Sequence, residues 1–248
     1  MLNLETIYDD YLERLQEERK EQYKGYEEWF SGSSAGYCYK KQWYKINGYE
    51  PEPFDQRTKR LLRLGTIVHK DFENALSEAE PLENVTIYLE HEIKLPKFKV
   101  VGHLDHCLIK KSDDVIEMYV SDLKTMASYS WTKKFGREAK KRSINSSPNI
   151  GNYELQVATY ALGMLEELSL MSSISLNIVY YNKNDSKMKT VEIPTEALDH
   201  AAAYWNDLND FIDEDDSIGD IPPDGAVGVP MQSWECRYCQ YSKICKGA

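Results

Sequence analysis

Two aspartates and a lysine occupy positions where neighbouring strands can bring their side chains together. Asp122 and Lys124 lie two residues apart in YVSDLKT, so both point to the same face of a strand. Asp105 follows Gly102 in GHLD, within the preceding strand-like segment. If the two strands pair, Asp105 and Asp122 converge at one edge of a sheet, where two carboxylates repel unless a cation lies between them. Oxygen ligands of this kind favour Mg²⁺ or Mn²⁺.

A metal-bound water beside such carboxylates can attack an anionic ester such as a phosphodiester. The metal lowers the pKa of the water and stabilises charge on the phosphate, and Lys124 can orient the water or stabilise the transition state. His69, in the helix before these strands, adds an imidazole that suits Mn²⁺. The alternatives are a strand-end ion pair between Asp122 and Lys124, and a structural role for His69.

Four of the five cysteines form a second pattern. Cys236, Cys239 and Cys245 are spaced C-x2-C-x5-C in a short tail that contains no histidine. Three thiolates do not complete a tetrahedral set, so Cys38 is the natural candidate for the fourth ligand. An iron–sulphur cluster, a zinc ion and buried free thiols are the three interpretations. Cys107 lies in an apolar strand and is interpreted as a core thiol.

Alternating helical and strand-like segments must position these residues. Helical periodicity predicts long helices over residues 4–30, 56–79, 153–170 and 195–213, and a short helix carrying Cys38. β-Branched and apolar residues predict strands at 85–95, 99–110 and 115–124, and a hairpin from 174–182 and 187–193. Residues 126–150 are polar and basic, and they are predicted to form a loop or insert.

The charge distribution leaves the choice of partner open. A net charge of −11 disfavours phosphate binding when it is taken alone. However, residues 196–224 contain many acids and no Lys or Arg, whereas a basic stretch lies beside Trp131. The candidate contacts to a polyanion are Trp131, Lys133, Lys134, Arg137, Lys140, Lys141 and Arg142. The alternative is a set of solvated helix faces.

The composition predicts a globular protein in the cytoplasm. Hydrophobic residues make up 42% of the chain and charged residues 29%. No apolar run approaches the ~18 residues that a membrane span needs. The N-terminal segment lacks the basic and apolar regions of a signal peptide. We therefore expect no membrane partner.

Read in order, these motifs resemble those of RecB-like nucleases of the PD-(D/E)xK superfamily. Within them, the chain is similar to the iron–sulphur subgroup that includes the AddB nuclease domain and the CRISPR-adaptation nucleases. The resemblance spans residues 38–245 through a cysteine, a histidine, G-x-x-D, D-x-K, Q-x3-Y and C-x2-C-x5-C. Each motif is short, but their order and the split cysteine pattern are specific. The Pro-Asp of the superfamily name is absent, since the first acid lies in GHLD.

The resemblance implies a role for each motif residue. The metal ligands would be His69, Asp105, Asp122 and the backbone carbonyl of Leu123, with Lys124 as the catalytic lysine. Gln156 and Tyr160, which share a helix face, would position substrate, although a half-buried helix face is the ordinary interpretation of that spacing. The ligands of a [4Fe–4S] cluster would be Cys38, Cys236, Cys239 and Cys245.

The fold expected from this resemblance is an α/β, restriction-endonuclease-like core. It would have a mixed central sheet of about five strands flanked by helices, with the N- and C-terminal segments joined by the cluster. A single domain would comprise a helical segment at residues 1–55, a nuclease core at 56–195 and a tail at 196–248.

The expected function is metal-dependent hydrolysis of DNA by an exonuclease acting on single strands or ends. Recombination, repair, and phage or CRISPR DNA processing are the expected settings. Because the chain contains no G-x4-G-K-[ST] P-loop, a helicase or recombination partner would be a separate protein. The alternatives are a non-catalytic DNA-end binding scaffold of the same fold and a zinc-stapled binding module.

Overall fold

The computed structural model of the protein describes residues 3–79, 82–137, 150–168, 171–213 and 227–245. The chain divides into two compact units. The first contains Met1–Phe30, Tyr37–Val68 and Asp207–Ala248, and the second contains Ser31–Gly36 and His69–Asn206. The acidic motifs therefore lie in the second unit, and the four patterned cysteines lie in the first.

A mixed sheet of six strands dominates the second unit. Its order is β1 (Phe30–Ser31), β3 (Val100–Ser112), β4 (Val115–Met126), β5 (Ser173–Asn182) and β6 (Met188–Ile193), while β2 (Val85–Leu95) pairs with β3 off this path. Strands β4 and β5 are parallel, whereas β2–β3, β3–β4 and β5–β6 are antiparallel. The mixed sheet is as predicted. The predicted number of strands was one too few, because β1 has two residues and shows no hydrophobic pattern.

The centre of the sheet is formed by strands with apolar residues on both faces. Leu104 and Cys107 of β3 and Val120 and Leu123 of β4 are all buried, as expected for strands covered on both sides. The β3–β4 ladder aligns His106 with Ser121. Asp105 and Asp122, one residue away on each strand, are therefore next to each other across the ladder.

The parallel β4–β5 pair requires a crossover, and two helices lie within it. These are α4 (Ser128–Phe135) and α5 (Asn152–Leu168). Helix α5 packs closely on the sheet, since a Cβ at Gly163 would collide with Ile93. Its Thr159 hydroxyl accepts a hydrogen bond of 2.9 Å from the indole N–H of Trp205, on α6 (Ala197–Asp213).

The first unit contains α1 (Leu4–Gln22), α2 (Tyr39–Ile46) and the beginning of α3 (Gln56–Ser77). Asn3 caps α1 by accepting the backbone N–H of Glu5 at 3.0 Å. Arg60 joins α3 to α1 through two hydrogen bonds to Asp9, of 2.8 and 2.7 Å. This bidentate geometry orients the two helices more specifically than a single contact would.

The tail of the first unit packs on α2. The rings of Tyr44 and Tyr241 are stacked, with centroids 5.3 Å apart and planes at 19°. The backbone N–H of Tyr39 donates to the carbonyl of Gly228 at 2.9 Å. Protein contacts alone therefore bring the N- and C-terminal segments together around the cysteines.

Most predicted helices and strands agree with the structure to within two residues at each end. Two predictions were wrong. The first helix ends at Gln22 instead of residue 30, and Gly25, with φ of +91°, lies just beyond its end. The segment predicted as a loop from residue 126 begins with α4, whose aromatic residues pack along the helix. No helix within the described ranges is long and apolar enough to cross a membrane.

Candidate active site and cysteine cavity

The structure brings His69, Asp105, Asp122 and Lys124 together at one place on the sheet. One carboxylate oxygen of Asp105, Oδ2, accepts the backbone N–H of Leu123 at 2.8 Å and lies 3.3 Å from His69 Nδ1. The ammonium of Lys124 donates to Asp122 Oδ1 at 2.9 Å and lies 2.7 Å from Oδ2. The D-x-K spacing thus produces an ion pair on one strand face, beside a histidine–aspartate pair.

Both carboxylates are buried, and their environments differ. Asp122 is 1% exposed, and burial raises its pKa to about 6, although the charge of Lys124 opposes this shift. Burial also acts to raise the pKa of Asp105, but the hydrogen bond and charge of His69, the charge of Lys124 and the Leu123 N–H outweigh it. The pKa of Asp105 therefore lies below its ordinary value. The site holds one firmly ionised carboxylate and one that retains a proton more readily.

Asp122 Oδ2 lacks a hydrogen bond from any described residue, despite its complete burial. Lys124 Nζ is within ion-pair distance of it, but at angles that make only the Oδ1 contact a hydrogen bond. A buried carboxylate oxygen without a hydrogen bond is unfavourable in a protein interior. The Lys124 ammonium balances the charge of this oxygen at 2.7 Å, but the oxygen retains a lone pair that could bind a cation.

The neighbouring acids raise the pKa values of both basic groups of the site. Burial acts to lower the pKa of Lys124, but the charges of Asp122 and Asp105 outweigh it, so the pKa of this lysine is raised. Burial likewise acts to lower the pKa of His69, but its hydrogen bond to Asp105 and the charges of Asp105 and Asp122 together outweigh that effect, so the pKa is raised. Lys124 thus remains a protonated ammonium and a hydrogen-bond donor throughout the neutral range.

Gln156 and Tyr160 lie on the same face of α5, as their spacing predicts. The amide Nε2 of Gln156 donates to the Tyr160 hydroxyl at 3.3 Å, and both side chains are buried. A Cβ at Gly102 would lie 3.0 Å from the Tyr160 ring, and one at Gly32 would lie 2.6 Å from it. The glycine of the G-x-x-D motif therefore makes room for this tyrosine.

The four patterned cysteines line a single cavity in the first unit. Its volume is about 150 Å³, and its wall contains Cys38, Cys236, Cys239 and Cys245. All four are half-buried free thiols, whereas Cys107 is fully buried in the other unit. The turn of the tail is partly organised by sulphur, since the Tyr241 N–H donates to Cys239 Sγ at 3.5 Å.

A buried glutamate connects the two cysteine-bearing segments. Glu235 is 5% exposed, and its carboxylate accepts the N–H of Cys38 at 3.0 Å and the N–H of Gln232 at 2.8 Å. Burial raises the pKa of the Cys38 thiol to about 11. Cys38 is therefore a protonated thiol at neutral pH.

The sequence model of the PD-(D/E)XK nuclease superfamily matches residues 4–246, nearly the whole chain. The chain belongs to that superfamily. The crystal structure of SSO0001 has the same fold, with a TM-score of 0.53 and 18% identity, covering 97% of this chain and 96% of that one. A search of curated protein sequences found no match.

Two solved exonucleases show a weaker structural likeness to this nuclease. One is a putative exonuclease from Eubacterium rectale, with a TM-score of 0.46 and 15% identity over 77% of this chain and 84% of that one. The other is an alkaline exonuclease from Laribacter hongkongensis, with a TM-score of 0.40 and 12% identity over 79% and 95%.

The donor atoms in the nuclease site are of the types that bind a hard divalent cation, although they are not arranged around a common point. No three His, Cys, Asp or Glu side chains in the described ranges stand close enough together to hold a metal ion. At the acidic site, the Asp122 carboxylate is paired with the Lys124 ammonium, and the Asp105 carboxylate is paired with the His69 imidazole. The two carboxylates and the imidazole are nevertheless suitable donors for Mg²⁺ or Mn²⁺, and the Asp122 oxygen without a hydrogen bond has unused capacity.

The four thiols that line the cysteine cavity are suitable ligands for a zinc ion or an iron–sulphur cluster. Each thiolate of a four-cysteine cluster binds a different iron atom, so a cluster requires wider spacing between sulphurs than one zinc ion does. The four thiols share the lining of one cavity, but among the described residues no three metal-binding side chains are close enough together to form a preassembled centre.

The predicted nucleic-acid contacts lie partly on α4. Lys133 and Lys134 are exposed, and Arg137 follows the helix. Trp131 is half-buried, and its ring contacts Phe135 with centroids 4.8 Å apart. The remaining candidates, Lys140, Lys141 and Arg142, lie outside the described residues.

Two tyrosines beside Lys124 were missed in the sequence analysis. The Lys124 ammonium lies 5.2 Å from the ring centroid of Tyr153, which is 37% exposed. Tyr180 is aligned with Lys124 across the parallel β4–β5 ladder. Tyr153 could have been found from its spacing, since it lies three residues before Gln156 on the same helix. Tyr180 depends on strand register, which sequence does not specify.

Proposed function

We propose that this nuclease hydrolyses DNA phosphodiester bonds with a divalent metal, Mg²⁺ or Mn²⁺, held by His69, Asp105, Asp122 and the Leu123 carbonyl. The supporting observation is the buried oxygen of Asp122, which no described group hydrogen-bonds, beside Asp105 and an ionised Lys124. When bound, the metal supplies an activated water and neutralises charge on the phosphate.

The side chains of the site have distinct parts in this chemistry. Asp105 is pre-oriented by the Leu123 N–H and by His69, so its carboxylate enters the site ionised. If Asp122 held a cation, Lys124 would lose its ion-pair partner. Its ammonium is then available to donate a hydrogen bond to the attacking water or to a phosphate oxygen, which stabilises the developing charge.

Gln156 and Tyr160 are proposed to position substrate indirectly. Both are buried and hydrogen-bonded to each other, and Tyr160 packs against Gly102, three residues before Asp105. We infer that they maintain the position of the strand that carries the first acid. Direct contact with DNA would require these two buried side chains to become exposed.

For the first unit we propose a [4Fe–4S] cluster held by Cys38, Cys236, Cys239 and Cys245. Support comes from four thiols around one cavity and from the motif order shared with the iron–sulphur subgroup. Anaerobically purified protein should be brown and contain iron and sulphide in equal amounts. Colourless protein with stoichiometric zinc would replace the cluster by a zinc site.

The proposed mode is exonucleolytic, on single-stranded DNA or DNA ends, with a separate helicase or recombination partner in the cytoplasm. This mode rests on the resemblance to RecB-like nucleases. The test compares linear, end-labelled DNA with circular single-stranded DNA in Mg²⁺ or Mn²⁺. An exonuclease degrades only the linear substrate, and the labelled products give its polarity. Cleavage of the circle would show an endonuclease instead, and cleavage of neither would favour a DNA-end binding scaffold.

A further inference from the structure

Three residues paired across neighbouring strands form a row that begins in the acidic site and runs toward the edge of the sheet. Lys124 on β4 is paired with Tyr180 on β5, and Tyr180 is paired with Lys189 on β6. Directly paired residues on neighbouring strands point to the same face of a sheet. The row therefore presents ammonium, phenol and ammonium groups in sequence, beginning at the lysine of the D-x-K motif.

Helix α4 covers the middle of this row. The ring of Phe135 contacts the ring of Tyr180 edge-on, with centroids 5.2 Å apart. The ammonium of Lys134 lies 4.9 Å from the Tyr180 centroid, and that of Lys189 lies 4.5 Å from the Phe135 centroid. Two lysines besides Lys124 thus converge on one aromatic pair.

The hydroxyl of Tyr180 is the unexplained group in this arrangement. The side chain is 0% exposed, and its oxygen makes no hydrogen bond with any residue that the structure describes. A phenol that only filled space here would be better replaced by phenylalanine, since an unsatisfied buried hydroxyl destabilises the fold. Burial raises the pKa of Tyr180 above its ordinary value, so the group remains a neutral O–H donor.

The surrounding charges indicate the chemical class of the acceptor. Three ammonium groups, those of Lys124, Lys134 and Lys189, adjoin the row, and two carboxylates, of Asp122 and Glu154, partly balance them. Lys134 is 3.6 Å from Glu154, longer than a good hydrogen bond, so a stronger anion can displace this carboxylate. Neutral O–H and ammonium donors together suit a phosphate oxygen.

We propose that Tyr180, Lys134 and Lys189 bind a backbone phosphate of the DNA strand next to the phosphate being cleaved. This inference rests on the proposed nuclease function and extends it to a second phosphate site. The Tyr180 hydroxyl donates to a phosphate oxygen, and the two lysines neutralise its charge. Because the hydroxyl is covered, Lys134 leaves Glu154 when the strand enters.

The decisive variant is Tyr180→Phe, measured for both DNA binding and stability. The full chain is titrated with a fluorescent single-stranded oligonucleotide in EDTA, which prevents cleavage. We expect the Kd to rise about tenfold, as for loss of a hydrogen bond to a charged group, while Tm stays the same or rises by a few degrees. Tyr181→Phe is the matched control, because the next residue of β5 carries a hydroxyl that makes an exposed hydrogen bond of 3.1 Å to its local neighbour Ser186.

A second variant tests the charge. Lys189→Met should lower the slope of log Kd against log salt by about 0.7, whereas Tyr180→Phe should leave that slope unchanged. The loss of affinity in Tyr180→Phe should be equally large on an abasic oligonucleotide, because the ligand is the backbone. A defect that vanishes on abasic DNA would indicate contact with a base and would overturn the proposal.

Two further results would also overturn it. Wild-type affinity in Tyr180→Phe would show that the hydroxyl does not touch DNA, and a lowered Tm would show that it has a structural partner. Cleavage by the wild-type protein in Mg²⁺ is assayed on the same preparation. If the wild type cleaves and Tyr180→Phe binds normally, only the second phosphate site fails. If the wild type neither binds nor cleaves DNA, the proposed function fails and this site fails with it.

Discussion

The acidic site and the cysteine cavity differ in how the chain assembles them. Asp105, Asp122 and Lys124 lie within 20 residues on two paired strands, and the β3–β4 ladder alone brings them together. Cys38 is separated from the tail cysteines by almost the whole chain, and it meets them through side-chain and backbone contacts. Local strand pairing thus builds one site, and long-range packing builds the other.

The two sites also differ in their charge state without metal. The acidic site holds a buried ion pair, and it has an oxygen without a hydrogen bond from the described residues. The cavity holds thiols, and burial keeps Cys38 protonated, with its pKa at about 11. In the proposed function the first site would exchange the Lys124 ammonium for a cation, whereas the second would have to release protons as it binds metal. Variants should therefore affect activity at the first site and cofactor content at the second.

The largest effect is expected from Lys124→Met. This change removes the ammonium and leaves a side chain of similar length, so cleavage should fall by about 10³-fold because a preorganised donor to the transition state is lost. Initial rates of single-stranded DNA cleavage in Mn²⁺ measure it. Lys187→Met, which removes an exposed lysine paired with Asp185 at 2.7 Å, is the control and should cleave normally. A Lys124→Met protein with wild-type rates would remove the lysine from the mechanism.

The second-largest effect is expected at the cysteine cavity, on metal content and stability. Cys38→Ser is expected to lose most of the bound iron or zinc and to lower Tm, because one of four ligands is missing. Metal analysis, visible absorbance and thermal denaturation measure these changes. Cys107→Ala, which removes the buried thiol of the other unit, should retain full metal content. Equal metal loss in both variants would show that cofactor content follows general stability.

A moderate effect on stability is expected where Gly102 meets Tyr160. Gly102→Ala places a Cβ 3.0 Å from the Tyr160 ring and should lower the free energy of unfolding by about 1–3 kcal/mol. Urea denaturation measures the change. In a Tyr160→Leu background the same substitution should be less destabilising, since the ring is absent. Additive effects would mean that Gly102 matters for another reason.

The smallest effect is expected from reversing one charge on α4. Lys133→Glu should weaken single-stranded DNA binding several-fold and flatten its salt dependence, because an exposed lysine contributes mainly through phosphate electrostatics. Fluorescence anisotropy at several salt concentrations measures both. Lys20→Glu, on α1 of the other unit beside Glu17, is the control. Unchanged binding in Lys133→Glu would remove this helix from the DNA interface.

Features carried by local sequence pattern could be predicted from the sequence. β-Branched runs identified the strands from Val85 to Met126, and the spacing of Asp122 and Lys124 correctly indicated a shared face. The proximity of Cys38 to the tail cysteines was predicted because three thiolates do not complete the ligand set of a metal centre. The strands and the shared face need only periodicity within a few residues, whereas the prediction for Cys38 needed only the number of ligands that a metal centre requires.

Features that depend on tertiary packing could not be predicted. Helix α4 has a polar, basic sequence, and it is helical because Trp131 and Phe135 pack on one side with Tyr180 beneath them. The alignment of Tyr180 with Lys124 depends on the register of a parallel pair that a long crossover separates in sequence. The clamp that Glu235 forms on the Cys38 N–H joins residues 197 positions apart. No local pattern marks these contacts.

We infer that the buried Asp122 carboxylate binds a divalent cation for DNA cleavage. The most direct measurement is cleavage of linear single-stranded DNA by wild type and by Asp122→Asn, after chelation and after adding back Mn²⁺. We predict that chelated wild type is inactive, that Mn²⁺ restores cleavage, and that Asp122→Asn stays folded and inactive in Mn²⁺. Cleavage in EDTA, or wild-type rates in Asp122→Asn, would contradict this account.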